Sequence, residues 1–275
     1  MKKNQFGVYA MIMIITLVCS CDGGNNDEEM YYNNSSWSPG VYGQMNKRII
    51  SWAGISFFYY ENGGIDSIYT PRDAYHMDGR MKFSPDQTRR WVFDNTHSWR
   101  DYTSKIAFNE QKYISSISSV SDEYDADQGV GEQLFYYDNK GHLKQIVYKS
   151  NDGIFYSEQT IVWENDTIVK IMEDSKEFDE ATFQGYKFEY SGGKYKNESY
   201  QFDGSLLDTW HNDDLESLFI LGFFGKGPAY LPTKWTKWKN GKKTKEYTFT
   251  YDFNVDGTIS QGYMSTYYEA YYKYE

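Results

Sequence analysis

Cysteine is almost missing from this chain. The 275 residues hold two, Cys19 and Cys21. Both lie ahead of residue 22, so no disulfide can staple the remainder, and burial and sheet hydrogen bonds must hold the fold. Proline is scarce, at five residues, which leaves no Pro-rich linker. Long apolar runs are also lacking. The longest, from about Val8 to Val18, falls short of the ~20 residues a helix needs to cross a bilayer. Mean hydropathy is −0.75, which excludes a polytopic helical membrane protein. Basic charge is in deficit, with 28 Lys and Arg against 39 Asp and Glu and a net charge of −11. Such a chain repels phosphate backbones and anionic lipid, so DNA, RNA and polyanionic substrates are poor fits.

Catalytic signatures are missing as well. There is no Gly-x-Ser-x-Gly elbow, P-loop or His-Glu-x-x-His. None of the four histidines, His76, His97, His142 and His211, sits in a metal or hydrolase motif. His142 follows a turn glycine and reads as solvated. Acidic pairs such as Asp213/Asp214 are what a glycoside hydrolase needs, but they are common in any acidic chain. The best metal candidate, Asp252-Phe253-Asn254-Val255-Asp256-Gly257, opens like a calcium loop. Its twelfth position is Tyr263, where a bidentate Glu is required, so it reads as a turn. Asp125-Ala126-Asp127-Gln128-Gly129 is weaker still. No metal or cofactor is expected.

The N-terminus shows what is present. Lys2 and Lys3 precede the short apolar run, as in a secretory signal over residues 1–20. Val18-Cys19-Ser20-Cys21 resembles the lipobox of bacterial lipoproteins, with an aliphatic at −3, a small residue at −1 and Cys21 at +1. Cys21 is therefore the expected lipidation site and membrane link. Loss of residues 1–20, with their two lysines, would leave a net charge of −13. Asp22-Gly23-Gly24-Asn25-Asn26-Asp27-Glu28-Glu29 then reads as the start of an acidic flexible tether over 21–40. Residues 41–275 form the expected single domain.

That domain is rich in aromatics, 19% of the chain with 28 Tyr, a composition that suits strands. It is built on one recurring unit. In Leu134-Phe135-Tyr136-Tyr137-Asp138-Asn139-Lys140-Gly141-His142-Leu143-Lys144-Gln145-Ile146 two aromatic-rich strands flank a turn with Asp first and Gly fourth. Asp caps such a turn and Gly takes its left-handed position. Phe108–Ile117 repeats it with Lys112 in place of Gly. Tyr60–Ile68 and Trp163–Ile171 are one residue shorter, Phe188–Tyr195 is looser, and Tyr251–Ile259 is longer. Asp78-Gly79, Asp152-Gly153, Asp203-Gly204 and Asn240-Gly241 suit type I′ turns between units. The pattern predicts an all-β antiparallel meander of about a dozen or more strands, forming a curled single sheet or an open barrel. Residues 71–104 are the least regular. One short helix is predicted over 213–222, with Asp213 as N-cap, Glu216 in a capping box and Gly222 at its end.

These hairpins are similar to YD repeats. They resemble more closely a family of Bacteroidota-type lipoproteins whose C-terminal domain of unknown function has a porin-like fold. Arg48-Ile49-Ile50, the Tyr137–Ile146 hairpin and Gly222-Phe223-Phe224-Gly225-Lys226-Gly227-Pro228-Ala229-Tyr230-Leu231-Pro232 carry the resemblance, over roughly residues 45–275. It implies a β fold and an outer-membrane lipoprotein, surface-exposed more than periplasm-facing, and assigns no chemistry. Asp66-Ser67-Ile68 and Asp166-Thr167-Ile168 resemble O-glycosylation acceptors of such exported proteins, at Ser67 and Thr167.

The leading functional expectation is a non-enzymatic binding or surface-interaction module. An envelope hydrolase on a β scaffold and a structural module without ligand are the alternatives. A long strand over Tyr263–Glu275 offers a candidate glycan surface. Alternation puts Met264, Thr266, Tyr268, Ala270, Tyr272 and Tyr274 toward the core. It leaves Tyr267, Glu269, Tyr271 and Lys273 outside, where rings can stack on sugars and charges can hydrogen-bond them.

Overall fold

The computed structural model describes residues 48–70, 79–94, 102–120, 131–150, 155–177, 180–190, 194–197, 215–265 and 268–274. Every described residue lies in the unit Asn34–Glu275.

The hairpin unit is built as its sequence demands. Asp138 N–H donates to the His142 carbonyl (2.9 Å) and Gly141 N–H donates back to the Asp138 carbonyl (3.2 Å). The Asp138 carboxylate accepts the N–H groups of Lys140 and His142. Gly141 has φ 86°, the left-handed region that side chains resist. Asn109 does the same for Gln111 and Tyr113, and Lys112 takes the strained place at φ 62°. The turns at Tyr60–Gly64 and Asn254–Thr258 close in the same way. In the latter, Asp256 accepts from Thr258, so the calcium-like segment serves as a hairpin turn. Asn165-Asp166 and Asn240-Gly241 are two-residue turns with both φ positive, the type I′ geometry.

Sixteen strands result among the described residues: β1 (Ile49–Trp52), β2 (Ile55–Tyr59), β3 (Ile65–Thr70), β4 (Gly79–Phe83), β5 (Arg89–Asp94), β6 (Tyr102–Phe108), β7 (Ile114–Val120), β8 (Glu132–Tyr137), β9 (Leu143–Lys149), β10 (Phe155–Glu164), β11 (Thr167–Glu177), β12 (Glu180–Glu189), β13 (Lys234–Lys239), β14 (Lys242–Phe253), β15 (Ile259–Met264) and β16 (Tyr268–Tyr274). Each pairs antiparallel with its neighbour in sequence, and β1 pairs with β16. The curled sheet thus closes into a complete barrel, and no edge strand remains along the closed girdle. Because strands alternate in direction, the tight turns after β2, β4, β6, β8, β10 and β14 gather at one end, the turn end. Ile49, where β1 begins, is at that end too.

A bulge recurs just before that end. The register shifts at Phe58/Tyr59, Ala107/Phe108, Tyr136/Tyr137, Val162/Trp163 and Asp252/Phe253. In each, the extra residue lies in the following strand (Asp66, Ser115, Lys144, Val169 and Ser260). The aliphatic residue that opens that strand thus turns inward beside the aromatic that ends the one before it. Three of these strand-end aromatics, and Tyr190 just past β12, donate to a carbonyl at the start of the preceding strand. Tyr59 Oη reaches Ile49 O (2.5 Å), Tyr137 Oη Ile114 O (2.6 Å), Trp163 Nε1 Leu143 O (2.8 Å) and Tyr190 Oη Ile168 O (2.5 Å). The ring fills space and its polar atom satisfies a carbonyl, so neither is buried at a cost.

A round sixteen-strand barrel would leave a wide lumen. Here the connection from β12 to β13 fills it at the turn end. It carries α1 (Glu216–Ile220) and a Gly/Pro-rich stretch to Pro232. Leu215, Leu218, Phe219, Ile220, Leu221, Phe223, Phe224 and Leu231 are all buried, as in a helix enclosed on every side. Phe223 stacks near Phe108, and Phe224 near Phe135. Backbone bonds lock this plug to the turns: Ile114 N–H to Phe223 O, Lys226 N–H to Gly141 O, and Ala229 N–H to Asp166 O.

Several expectations change. The helix is shorter than 213–222, and Leu215 stands at its N-cap with no side-chain cap bond. Asp213 lies outside the described residues. Gly222 ends the helix at φ 78°, its N–H on Phe219 O and that of Phe223 on Leu218 O, a Schellman motif. Phe188–Tyr195 is no hairpin, because the chain leaves the wall there and Tyr195 joins the plug region through Leu231. The long C-terminal strand is two, β15 and β16, paired at Met264↔Tyr268. Residues 71–104 contribute β4, β5 and the start of β6, with 71–78 and 95–101 outside the described residues. The type I′ sites at Asp152-Gly153 and Asp203-Gly204 and the Asp125–Gly129 motif also lie outside them.

Candidate binding surface

Cross-strand register separates the two faces of the wall. Toward the turn end the inner face is aliphatic and aromatic, with Ile49, Ile65, Ile114, Leu143 and Ile168 buried. Toward the other end it turns polar. Gln159 and Glu173 face each other, as do Ser157 and Ser175. Ser157 Oγ and Gln159 Nε2 each lie 3.4 Å from the buried Glu173 carboxylate.

The outer face is charged along much of the girdle. Lys82, Lys105, Asp174, Lys187, Glu246 and Asp252 all face outward and are exposed. A lipid-facing barrel needs an apolar band there instead.

His142 is not solvated. It is 4% exposed. Its ring stacks on Trp163 at 4.3 Å, and Nδ1 lies 3.1 Å from Asp138 Oδ2. Burial raises the Asp138 pKa, but the N–H groups of His142 and Lys140 and the neighbouring ring outweigh it, so the carboxyl titrates below its usual value. Lys140 bonds Asp166 at 2.8 Å, which lowers that carboxyl and raises the lysine. These groups tie one turn to the next. A groove of about 460 Å³ runs beside them on β9 and β10, lined by Asp138, Lys144, Gln145, Thr160, Val162 and Trp163 among others.

A second groove, about 420 Å³, lies on the outer wall of β2, β3 and β4. Its lining is Phe58, Asp66, Ser67, Tyr69 and Arg80. Ser67 pairs with Phe58 on one side and Lys82 on the other, and Tyr69 pairs with Arg80. Small Ser67, 2% exposed, is the floor, and the larger side chains are the walls. Phe58 is 51% exposed and Tyr69 38%.

Of the sites expected from sequence, only Ser67 lines this groove. Tyr271 is 52% exposed on the outer face of β16 and Lys273 is exposed beside it. Tyr272 is buried, as the assigned alternation requires. Glu269 lies on β16, but its side chain is outside the described residues, as is Tyr267. No groove joins Tyr271 to Lys273 among those described above. Ser67 Oγ lies 3.3 Å from Asp66, under its neighbours, while Thr167 Oγ1 donates to Glu164 O at 2.6 Å. Cys21 is outside the described residues. Among the described residues no group of three or more His, Cys, Asp or Glu is placed to hold a metal.

A closed antiparallel meander with an internal plug defines a porin-like barrel in shape. Solved structures are similar to this chain in fold, and two of them are described as porin-like proteins. One is a porin-like protein from Bacteroides uniformis ATCC 8492, with TM-score 0.58 and 17% identity over 80% of this chain and 90% of that one. The other is a porin-like protein from Bacteroides vulgatus ATCC 8482, with TM-score 0.54 and 10% identity over 80% and 92%. At these identities the likeness is one of fold. No protein-family model and no curated protein sequence matches the chain.

Proposed function

We propose that this chain is a lipid-anchored envelope barrel that binds through its outer wall, with glycans as the ligand class. The observation that carries this reading is the combination of a plugged inside and a charged outside. The plug occupies the space a channel would use, and the wall offers lipid no continuous apolar band. What remains for interaction is the exterior, where Phe58, Tyr69, Tyr136 and Tyr271 expose rings. Exposed rings beside charged groups suit sugars, whose apolar faces stack while their hydroxyls hydrogen-bond. The lipobox-like Val18–Cys21 and the acidic tether support attachment by lipid rather than by the barrel, and display at the cell surface. Thr167 is the better glycan acceptor of the two hydroxyls, because Ser67 is covered.

Two measurements test the reading. Cys21→Ala should move the protein from the membrane to the soluble fraction, and protease shaving of whole cells should cut the parent. A Cys21→Ala protein that stays membrane-bound contradicts the anchor. A glycan array that shows no binding by the parent contradicts the ligand class.

A further inference from the structure

The groove on β2–β4 continues into a row of cations. On the outer face of β4 stand Arg80 and Lys82, both exposed. Trp91 of β5 pairs with Lys82 and faces the same way. Arg89 and Lys105 pair across β5 and β6, again outward and exposed. Neighbouring strands lie about 4.8 Å apart, so the surface from Phe58 to Lys105 crosses four gaps, or about 19 Å. Among the described residues four cations stand along it, against Asp66 in the groove and Asp86 in the turn that leads to Arg89. The chain as a whole carries −11, so this stripe runs against the sign of the molecule. A net charge sets long-range repulsion. It does not set the field within a Debye length of about 8–10 Å, where the local groups dominate.

We infer that the Phe58–Tyr69–Arg80 groove and the stripe beyond it bind an acidic oligosaccharide, one whose sugars carry carboxylate or sulfate. The inference rests on the glycan reading above and narrows its ligand and its place. Phe58 and Tyr69 give flat apolar walls for a sugar ring. The Arg80 guanidinium can hold an anionic group in two parallel hydrogen bonds. Asp66 accepts from sugar hydroxyls, and the covered Ser67 hydroxyl, 3.3 Å from its carboxylate, donates to it from below. Lys82, Arg89 and Lys105 meet the next anionic groups along the chain. On this stripe the local cations offset the general repulsion that the net charge imposes on polyanions, for a ligand short enough to stay on it.

The test is calorimetric titration of the folded protein with four probes: tetragalacturonate, a chondroitin sulfate tetrasaccharide, maltotetraose and tetraglutamate. The first or second should bind and the last two should not. Affinity should fall steeply between low and physiological salt. Arg80→Gln and Phe58→Ser should each weaken it about ten-fold or more, while Tyr271→Ala leaves it unchanged. Both sites lie on the outer wall, and an unshifted melting curve confirms the fold; should Phe58→Ser not fold, Arg80→Gln decides alone. Equal binding of maltotetraose overturns the charge requirement and leaves the glycan reading standing. Equal binding of tetraglutamate overturns the sugar requirement. Binding that is lost in Tyr271→Ala and kept in Arg80→Gln places the site on β16 and overturns the groove. If none of the probes binds and a neutral-glycan array is also blank, both readings fall together.

Discussion

Tyr137 shows how single residues hold this barrel. Its ring packs between Tyr113 and Gly225, and its hydroxyl donates to the buried Ile114 carbonyl. Burial first, and the neighbouring Tyr113 second, push its pKa well up, so it stays a neutral donor. Tyr137→Phe should cost about 1–2 kcal/mol in chemical denaturation, because a buried carbonyl loses its partner. Gly225 is tighter still. At φ 89°, a Cβ added there would lie 2.3 Å from the Gly141 carbonyl oxygen. Gly225→Ala should therefore destabilise more than Gly141→Ala, whose Cβ would meet the Tyr113 side chain at 3.1 Å rather than a backbone atom. An equal melting midpoint for the two variants would show that the plug does not approach the turn so closely. Asp138 sets a pH dependence. Its folded pKa is below the ordinary value, so its contribution is full above about pH 4 and is lost as pH falls through the folded pKa. Stability should drop more steeply below pH 4 in the parent than in Asp138→Asn, measured by denaturant midpoint against pH.

At the scale of elements, the hairpins were legible because their turn chemistry is local. Asp138 and Gly141, or Asn109 with Lys112, announce the turn before any tertiary contact exists. The C-terminal strand was misread for the converse reason. The sequence that joins β15 to β16, Ser265-Thr266-Tyr267, holds no Gly, Pro or Asn. The plug was half legible: α1 shows helical spacing, but residues 222–232 have no period, and only the enclosing barrel explains why they are buried. The β2–β4 groove could not be read at all. Phe57 to Tyr60 are four consecutive rings, so alternation cannot say which face out, and on β3 the bulge at Asp66 shifts the phase and hides that Ser67 and Tyr69 face outward. A sharper signal was available at Arg80, Lys82, Arg89 and Lys105, four spaced cations in an acidic chain. For the plug, Phe223→Ala should cost about 3–5 kcal/mol and leave far-UV circular dichroism strand-like, since a buried ring is lost from a closed wall.

For the whole molecule, closure and filling decide what the barrel can do. A sixteen-strand girdle is the size that forms a pore when its lumen is wet and its wall is apolar. This one reverses both conditions. Rings and the plug occupy the turn end, buried polar side chains line part of the rest, and charge covers the outer face. On the reading proposed above, attachment falls to Cys21 and recognition to the wall. The decisive measurement is ion flux across liposomes or a planar bilayer with the purified, lipid-bearing protein. A plugged barrel that works from its exterior should give no conductance above the protein-free baseline, before or after mild chelation. Stable unitary conductance steps, abolished by a substitution on the inner face such as Glu173→Leu, would contradict it.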